Sequence, residues 1–165
     1  MSRKQHLSRG FTIVEMVVVM VIVGILASVA LPRFVSLQND AYSASTEATG
    51  GAFSSAVNLV HSAWLVGGGT AAVNQVTLEG GQTVGVTDAG WPENATTGDD
   101  TVTAAECVLL WNSILSPGSP QAATDTSADY QATYADPTCT YTLNALAGRS
   151  VAFNHDTGQV TITAP

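Results

Sequence analysis

The sequence has 165 residues, of which 45% are hydrophobic and only 11% are charged. Soluble globular chains typically carry about 25% charged residues, so this composition argues against an ordinary cytosolic enzyme. Thirteen acidic residues outnumber five basic ones. We therefore expect no nucleic-acid partner, because binding to phosphate backbones needs a basic surface. The chain also has enough aliphatic and aromatic residues to form a core, which argues against disorder.

The charges are distributed unevenly along the chain. Three basic residues, Arg3, Lys4 and Arg9, lie within the first ten positions. The only basic residues after them are Arg33 and Arg149, whereas all thirteen acidic residues follow position 10. A basic N-terminus, an apolar stretch and a long acidic remainder are typical of an exported protein.

The apolar stretch extends from Phe11 to Leu31 and contains one charged residue, Glu15. As a helix it would be about 31 Å long, close to the hydrocarbon thickness of a bilayer. The preceding basic residues predict a cytoplasmic N-terminus. One interpretation is a cleaved signal peptide, in which Ser28-Val29-Ala30 resembles the small-residue pattern of a cleavage site. A plain membrane anchor is the second, and neither explains Glu15.

Glu15 lies one turn into the apolar stretch. A carboxylate at the centre of a membrane helix costs about 2.5–3.5 kcal/mol on insertion scales, and less near a helix end. Such a residue is a candidate functional group that needs a partner. The alternative is that Glu15 lies at the headgroup level and stays hydrated.

The residues around this acid resemble the processing site of type IV prepilins, because a short basic leader is followed by Gly10-Phe11-Thr12-Ile13-Val14-Glu15. The resemblance implies that a prepilin peptidase cuts between Gly10 and Phe11 and methylates the new amine of Phe11. The helix would then be retained. A free α-amine is protonated at neutral pH, since its ordinary pKa is about 7.7–8. The resemblance further implies that Glu15 of one subunit pairs with the Phe11 amine of a neighbour, which would set the axial register of a filament.

The sequence predicts one helix from Phe11 to about Val66, ended by three glycines at 67–69. It would be about 84 Å long. Pro32 removes one backbone hydrogen bond and Gly24 weakens the helix. The resemblance implies that Gly24–Pro32 loses helical order in filaments, and the alternative is a simple bend.

The second half of this helix is amphipathic and should pack on a globular head. One apolar stripe consists of Phe34, Leu37, Ala41, Ala44, Ala48, Ala52, Ala56, Leu59 and Ala63. A neighbouring stripe consists of Phe53, Val57, Val60 and Trp64.

The residues from Pro32 onwards indicate which type of pilin the chain resembles. Pro32-Arg33-Phe34-Val35, with Leu37-Gln38-Asn39-Asp40-Ala41 after it, is similar to pilins of the mannose-sensitive haemagglutinin type from Gram-negative marine and aquatic bacteria. The similarity is tight over residues 10–60 and loose beyond them.

The head is predicted to combine one short helix with a small antiparallel sheet. Thr103 and Glu106 form a capping-box pattern at the start of that helix, which Pro117-Gly118 should stop. The other predicted elements are a strand at Gln82–Thr87, a turn at Gly90-Trp91-Pro92 with a buried indole, a polar loop, a strand at Thr138–Leu143, and a hairpin that pairs Val151 and Phe153 with Val160 and Ile162.

The only two cysteines, Cys107 and Cys139, lie in the part predicted to be exported. We therefore expect a disulfide, which would contribute roughly 3.5–4 kcal/mol in the chain-entropy model. Between them Asp125, Asp129 and Asp136 predict an acidic, well-solvated surface.

No pattern indicates catalysis, a metal or a cofactor. The three histidines, His6, His61 and His155, lack metal-ligand spacing, and the acidic pairs Asp99–Asp100 and Asp125/Asp129 lack the pattern of a calcium loop. No phosphate-binding loop or nucleophile elbow is present. We therefore expect a protein that is not an enzyme.

Taken together, the sequence predicts an α+β pilin fold, with one long N-terminal helix on a small antiparallel head and a disulfide-bracketed C-terminal region. The expected divisions are a removed leader (1–10), a membrane or filament-core half-helix (11–31), an amphipathic half-helix (32–66) and a head (67–165).

The expected function is that of the major structural subunit of a type IV pilus used for attachment and biofilm formation. The implied partners are other copies of the chain, the prepilin peptidase and methyltransferase, the inner-membrane assembly machinery, minor pilins and a surface carbohydrate. The precursor would lie in the inner membrane and the product in an extracellular filament. A minor pilin, a type II secretion pseudopilin and a secreted binding module with a cleaved signal peptide remain alternatives.

Overall fold

A computed structural model describes residues 11–70, 74–78, 81–94 and 102–165. Gly10 of the predicted cleavage site and the Asp99–Asp100 pair lie outside these ranges. The chain divides into two compact units, Met1–Asp40 and Ala41–Pro165. One helix, α1, spans Ile13–Val66 and contributes to both units.

In the first unit, the described residues are almost entirely helical. Every large hydrophobic side chain from Phe11 to Leu37 is at least 50% exposed. These side chains are mostly Val, Ile, Leu and Met, which ordinarily occupy protein interiors. An exposed apolar surface of this extent marks a site that is covered by a membrane or by another protein.

In the second unit, α1 packs against the head through only one of its two apolar stripes. Phe53, Val57, Val60 and Trp64 are buried. The other stripe stays largely outside, since Ala41, Ala44, Ala48, Ala52 and Leu59 are exposed. The larger side chains therefore form the contact with the head, because they remove more apolar area from water.

The described residues of the head form two sheets, one short helix and a shared core. Strands β1 (Gln75–Thr77), β2 (Thr83–Val86) and β3 (Pro92–Asn94) form a three-stranded antiparallel sheet. Helix α2 spans Ala104–Ile114. The second sheet has five strands in chain order, β4 (Ala122–Ala123), β5 (Tyr130–Ala135), β6 (Thr138–Leu143), β7 (Ser150–Asn154) and β8 (Val160–Thr163). Its β4–β5 pair is parallel and the others are antiparallel.

Several predicted elements are confirmed. The capping box at α2 is present, since Glu106 N–H donates to Thr103 Oγ1 over 3.3 Å and Thr103 N–H donates to Glu106 Oε2 over 2.8 Å. The predicted hairpin has the expected register, in which Val151 faces Ile162 and Phe153 faces Val160.

Other predictions need correction. The presumed polar loop contains β4 and β5, and β5, whose Tyr130 and Ala132 are buried, pairs with β6. The predicted strand β2 does not join this sheet but pairs with β1 and β3, so the described part of the head has two sheets instead of one. The turn predicted around Gly90 is present, since the Gly90 N–H donates to the Thr87 carbonyl over 2.7 Å, and Pro92 begins β3. Only the buried indole needs correction there, because the Trp91 ring is half-buried. These strands were missed because their inward positions carry Ala, Tyr or Pro instead of a run of branched aliphatic residues.

The centre of the core is aromatic. Phe53 of α1 stacks on Trp111 of α2, with ring centroids 4.9 Å apart, and also contacts Tyr141 and Phe153 of the sheet. The Tyr141 hydroxyl donates to the Cys107 carbonyl over 2.8 Å. The predicted disulfide joins Cys107 to Cys139 and links α2 to β6. The predicted α+β class and its disulfide are therefore confirmed.

Candidate functional site

The exposed N-terminal part of α1 is the strongest functional feature of the described chain. By length and composition this helix could cross a membrane, and none of its most apolar 18-residue window is buried within the protein. The head needs none of these side chains for its core. Among the described residues this surface is exposed, and an apolar surface of this extent marks a site for a membrane or another protein.

Glu15 lies at the start of this surface and caps its own helix. The Glu15 N–H donates to Thr12 Oγ1 over 3.3 Å, and Glu15 Oε2 accepts from the Thr12 N–H over 3.4 Å and from its hydroxyl over 3.5 Å. This is the reciprocal arrangement of a capping box. A negative charge in the first turn is also stabilised by the helix dipole.

This cap explains how the carboxylate is accommodated within a single subunit. The sequence contained the signal, because Thr12-Ile13-Val14-Glu15 has the same spacing as the Thr103–Glu106 pattern in the head. The cap leaves the negative charge of Glu15 without a cation, since no Lys or Arg lies within ion-pair distance of it in the described residues. Glu15 can therefore serve as a cap and still be available to a positive group from another chain.

Gly24 and Pro32 both lie inside α1 and are helical in the structure. A Cβ added at Gly24 would meet nothing within 4 Å. Neither packing nor a turn therefore requires glycine at this position in the separate subunit. The Ser28 hydroxyl between them donates to the Ile25 carbonyl over 2.8 Å, which is the type of back-bonding that accompanies bends in helices.

In the described part of the head, titratable side chains cluster around the buried His155. The Tyr134 hydroxyl donates to Asp136 over 2.8 Å and lies 3.1 Å from His155 Nε2. Burial, and then the hydrogen bond and charge of Asp136, raise the pKa of Tyr134 to about 12. Asp156 lies 3.6 Å from His155 Nδ1. Across the described ranges, no three His, Cys, Asp or Glu side chains are arranged to bind a metal.

Two other pKa shifts follow from simple causes. Burial raises the pKa of Tyr141 well above its ordinary value. Hydrogen bonds from the Ser127 hydroxyl and backbone N–H lower the pKa of Asp125. Asp125, Asp129 and Asp136 are all exposed, so the predicted acidic surface is present.

Trp91, which the sequence predicts as the indole of a turn, packs against α1. Its ring stacks on His61 with centroids 3.9 Å apart, and His61 Nδ1 lies 3.1 Å from the Gly90 carbonyl. Gly158 packs so closely that an added Cβ would lie 2.2 Å from the Trp91 ring. The ring therefore joins α1 to the β7–β8 turn and has a structural role.

Comparisons with known proteins support the assignment of the N-terminal segment. Residues 6–31 match the family model of the prokaryotic N-terminal methylation motif. The chain carries a prepilin-type methylation motif. The matched range includes Gly10, Phe11 and Glu15, together with the exposed apolar part of α1.

One curated relative extends the similarity beyond this motif. The chain is 47% identical over 49 residues to a type IV narrow pilus major component, PilA5, of Thermus thermophilus. The match covers 30% of this chain and 42% of the relative, which is less than half of the relative's length. No solved structure matches the chain significantly. The similarity to type IV pilins is therefore carried by the methylation motif and a limited stretch of sequence.

Proposed function

We propose that the protein is a major structural subunit of a type IV pilus. The observation that carries this proposal is the exposed apolar surface of α1, which begins with the methylation motif. A surface of this kind suits a membrane before assembly and neighbouring helices afterwards. The role is structural rather than enzymatic.

The proposed pathway follows from the motif. A prepilin peptidase cuts between Gly10 and Phe11 and methylates the amine of Phe11. The precursor is held in the inner membrane of a Gram-negative bacterium. Assembly machinery and minor pilins then build an extracellular filament from it. The displayed heads would act in attachment and biofilm formation, with a surface carbohydrate as one candidate ligand. Residues 32–41 favour the mannose-sensitive haemagglutinin type.

The proposed assembly contact pairs Glu15 with the Phe11 amine of a neighbouring subunit. Among the described residues, no Lys or Arg lies within ion-pair distance of the capped carboxylate. In an apolar bundle, an unpaired carboxylate is penalised and one that faces an ammonium group is not. Only one axial offset between identical subunits satisfies both charges, so the pair would select the register. Loss of helical order at Gly24–Pro32 would then allow the filament to stretch.

The first experiment is intact-mass and N-terminal analysis of sheared surface material. We expect a chain that begins with N-methylated Phe11 and lacks the ten-residue leader. A mature chain that begins at Leu31 would instead show that the apolar helix is a discarded signal peptide. Electron microscopy of the same material distinguishes long surface filaments from a short periplasmic assembly.

The second experiment separates the two roles of Glu15. Glu15→Gln keeps a side chain that can complete the capping box but removes the charge. Thr12→Ala removes the cap but keeps the charge, at a cost of about 1 kcal/mol. We expect Glu15→Gln to lower filament yield on the order of tenfold or more, and Thr12→Ala to have a much smaller effect.

Membrane insertion and processing serve as the control for both variants. Each variant should accumulate in the inner membrane at the level of the unmodified chain, as measured by immunoblot and intact mass. Ordinary filament yield from Glu15→Gln would contradict the pairing. A yield that falls equally in Thr12→Ala would assign Glu15 to capping alone.

A further inference from the structure

Of the two basic side chains that follow the leader, one is exposed and one is buried. After the leader, only Arg33 and Arg149 are basic, and the structure describes both. Arg149 is only 8% exposed. Its guanidinium donates to the Pro165 carbonyl over 2.7 Å and to Ser43 Oγ over 3.1 Å. Arg149 is therefore occupied inside the head, and Arg33 is the basic side chain that can reach another subunit.

Arg33 lies in the exposed apolar unit, seven residues before Asp40. Both side chains are exposed. Within the described ranges, neither forms an ion pair or a side-chain hydrogen bond. Their Cα atoms are two helical turns apart, about 10.5 Å along the axis, so both project from nearly the same side of α1. This surface thus carries a cation and an anion that are too far apart to pair in one chain.

Glu15 lies on the same side of the helix. Arg33 follows Glu15 by 18 residues, which is five turns of an ideal helix, and Asp40 follows it by 25 residues, or nearly seven turns. Where α1 stays continuous, as it is in the structure, a neighbouring helix that contacts Glu15 therefore lies along the side that also carries Asp40.

The axial offset that the proposed Phe11–Glu15 contact sets would also bring a second pair of opposite charges close together. When the amine of one subunit is level with Glu15 of its neighbour, the two chains are offset by four residues, about 6 Å. Arg33 of the first subunit is then level with Leu37 of the neighbour. Asp40 of that neighbour lies three residues further, about 4.5 Å along the axis. An arginine side chain can span that distance because its guanidinium is carried on a flexible apolar stem.

We infer that Arg33 of each subunit pairs with Asp40 of the neighbouring subunit that also supplies Glu15. This inference rests on the proposed filament function. The occupant of this surface is therefore a second copy of the chain in parallel orientation. The pair forms a second register contact near the C-terminal end of the first unit, and it gives an exposed arginine on an apolar surface a partner. Arginine suits this position because its guanidinium makes two directed hydrogen bonds to a carboxylate.

A charge swap in the full-length chain tests the pair. Arg33→Asp places two acids at the contact, and Asp40→Arg places two bases there, so each single variant should lower the yield of sheared filaments by roughly tenfold. The double variant Arg33→Asp/Asp40→Arg restores opposite charges and should return the yield to within about twofold of the unmodified chain. The matched control is Arg33→Asp/Glu47→Arg, which makes the same change in net charge with another exposed acid of α1 and should not restore the yield.

Cross-linking gives a readout that does not depend on yield. The native cysteines are joined to each other, so cysteines introduced at Arg33 and Asp40 are the only free thiols. They cannot join within one helix, because disulfides need Cα atoms about 4.4–6.8 Å apart. Oxidised filaments of Arg33→Cys/Asp40→Cys should therefore give a ladder of covalent multimers, whereas each single-cysteine variant should stay monomeric.

The outcomes separate this inference from the proposed function. Unmodified chains that form no surface filament would overturn the proposed function. Filaments that form normally in both single charge variants, or a swap that does not restore yield, would overturn the Arg33–Asp40 pair while leaving the pilus subunit intact.

Discussion

Phe34 and Phe53 lie on the same helix, yet 68% of Phe34 is exposed whereas Phe53 is fully buried. Phe53 belongs to an aromatic core that ties α1 to the sheet, whereas Phe34 lies in the first unit and takes no part in the core formed by the described residues. Apolar side chains therefore have two different roles in this protein. In the head, buried apolar side chains stabilise one subunit. In the N-terminal unit, exposed apolar side chains are available to contact a membrane or another subunit.

The largest expected effect comes from truncating these two phenylalanines. Phe53→Ala should lower the free energy of unfolding of the head by about 3–5 kcal/mol, because it opens a cavity among aromatic rings. Phe34→Ala should change it by less than about 0.5 kcal/mol but should lower filament yield. The measurement is chemical denaturation of the full chain in detergent, followed by tryptophan fluorescence, since Trp111 contacts Phe53. Equal destabilisation by both variants would show that the N-terminal unit also packs within the subunit.

Removal of the disulfide is expected to have an effect of similar size in the head. Cys107→Ser/Cys139→Ser should lower the free energy of unfolding by roughly 3.5–4 kcal/mol, because the unfolded chain loses the constraint of a long closed loop. The measurement is the same denaturation curve, with reductant-treated unmodified protein as the control. Cleavage and methylation at Phe11 should be unaffected in the variant. A loss below about 1 kcal/mol would indicate that the aromatic core already restricts this loop.

Gly50 and Gly51 are adjacent in α1 but differ in whether a side chain could be added without a clash. A Cβ at Gly50 would lie 2.7 Å from the Ile162 side chain and 3.1 Å from Val151, whereas a Cβ at Gly51 would meet nothing within 4 Å. Gly50→Ala should therefore destabilise the head by about 1 kcal/mol, as the contact strains β8. Gly51→Ala should stabilise it by about 1 kcal/mol through helix propensity. Thermal unfolding of both variants provides the measurement, and a gain in stability at Gly50 would show that Ile162 moves aside freely.

Local sequence signals predicted the elements that depend on near neighbours. The Thr103–Glu106 capping box, the end of α1 before Gly67 and the pairing of Val151 with Ile162 were all predicted, because each rests on residues close in sequence. The Thr12–Glu15 capping box was missed although it has the same pattern, because an acid inside an apolar stretch is equally accounted for by a partner on another subunit. Strand β5 was missed because its inward Ala132 gives little hydrophobic signal.

The sequence by itself determined that a helix of unusual length begins with a methylation motif, that one disulfide is available and that the N-terminal unit is too apolar to face water alone. These properties depend on composition and spacing, which can be read along the chain. Only the tertiary structure decided which stripe of α1 the head covers, where Trp91 packs and that Arg149 is enclosed while Arg33 is exposed. Each of these depends on contacts between residues far apart in sequence, where the shape of the partner surface selects among side chains of similar hydrophobicity or charge.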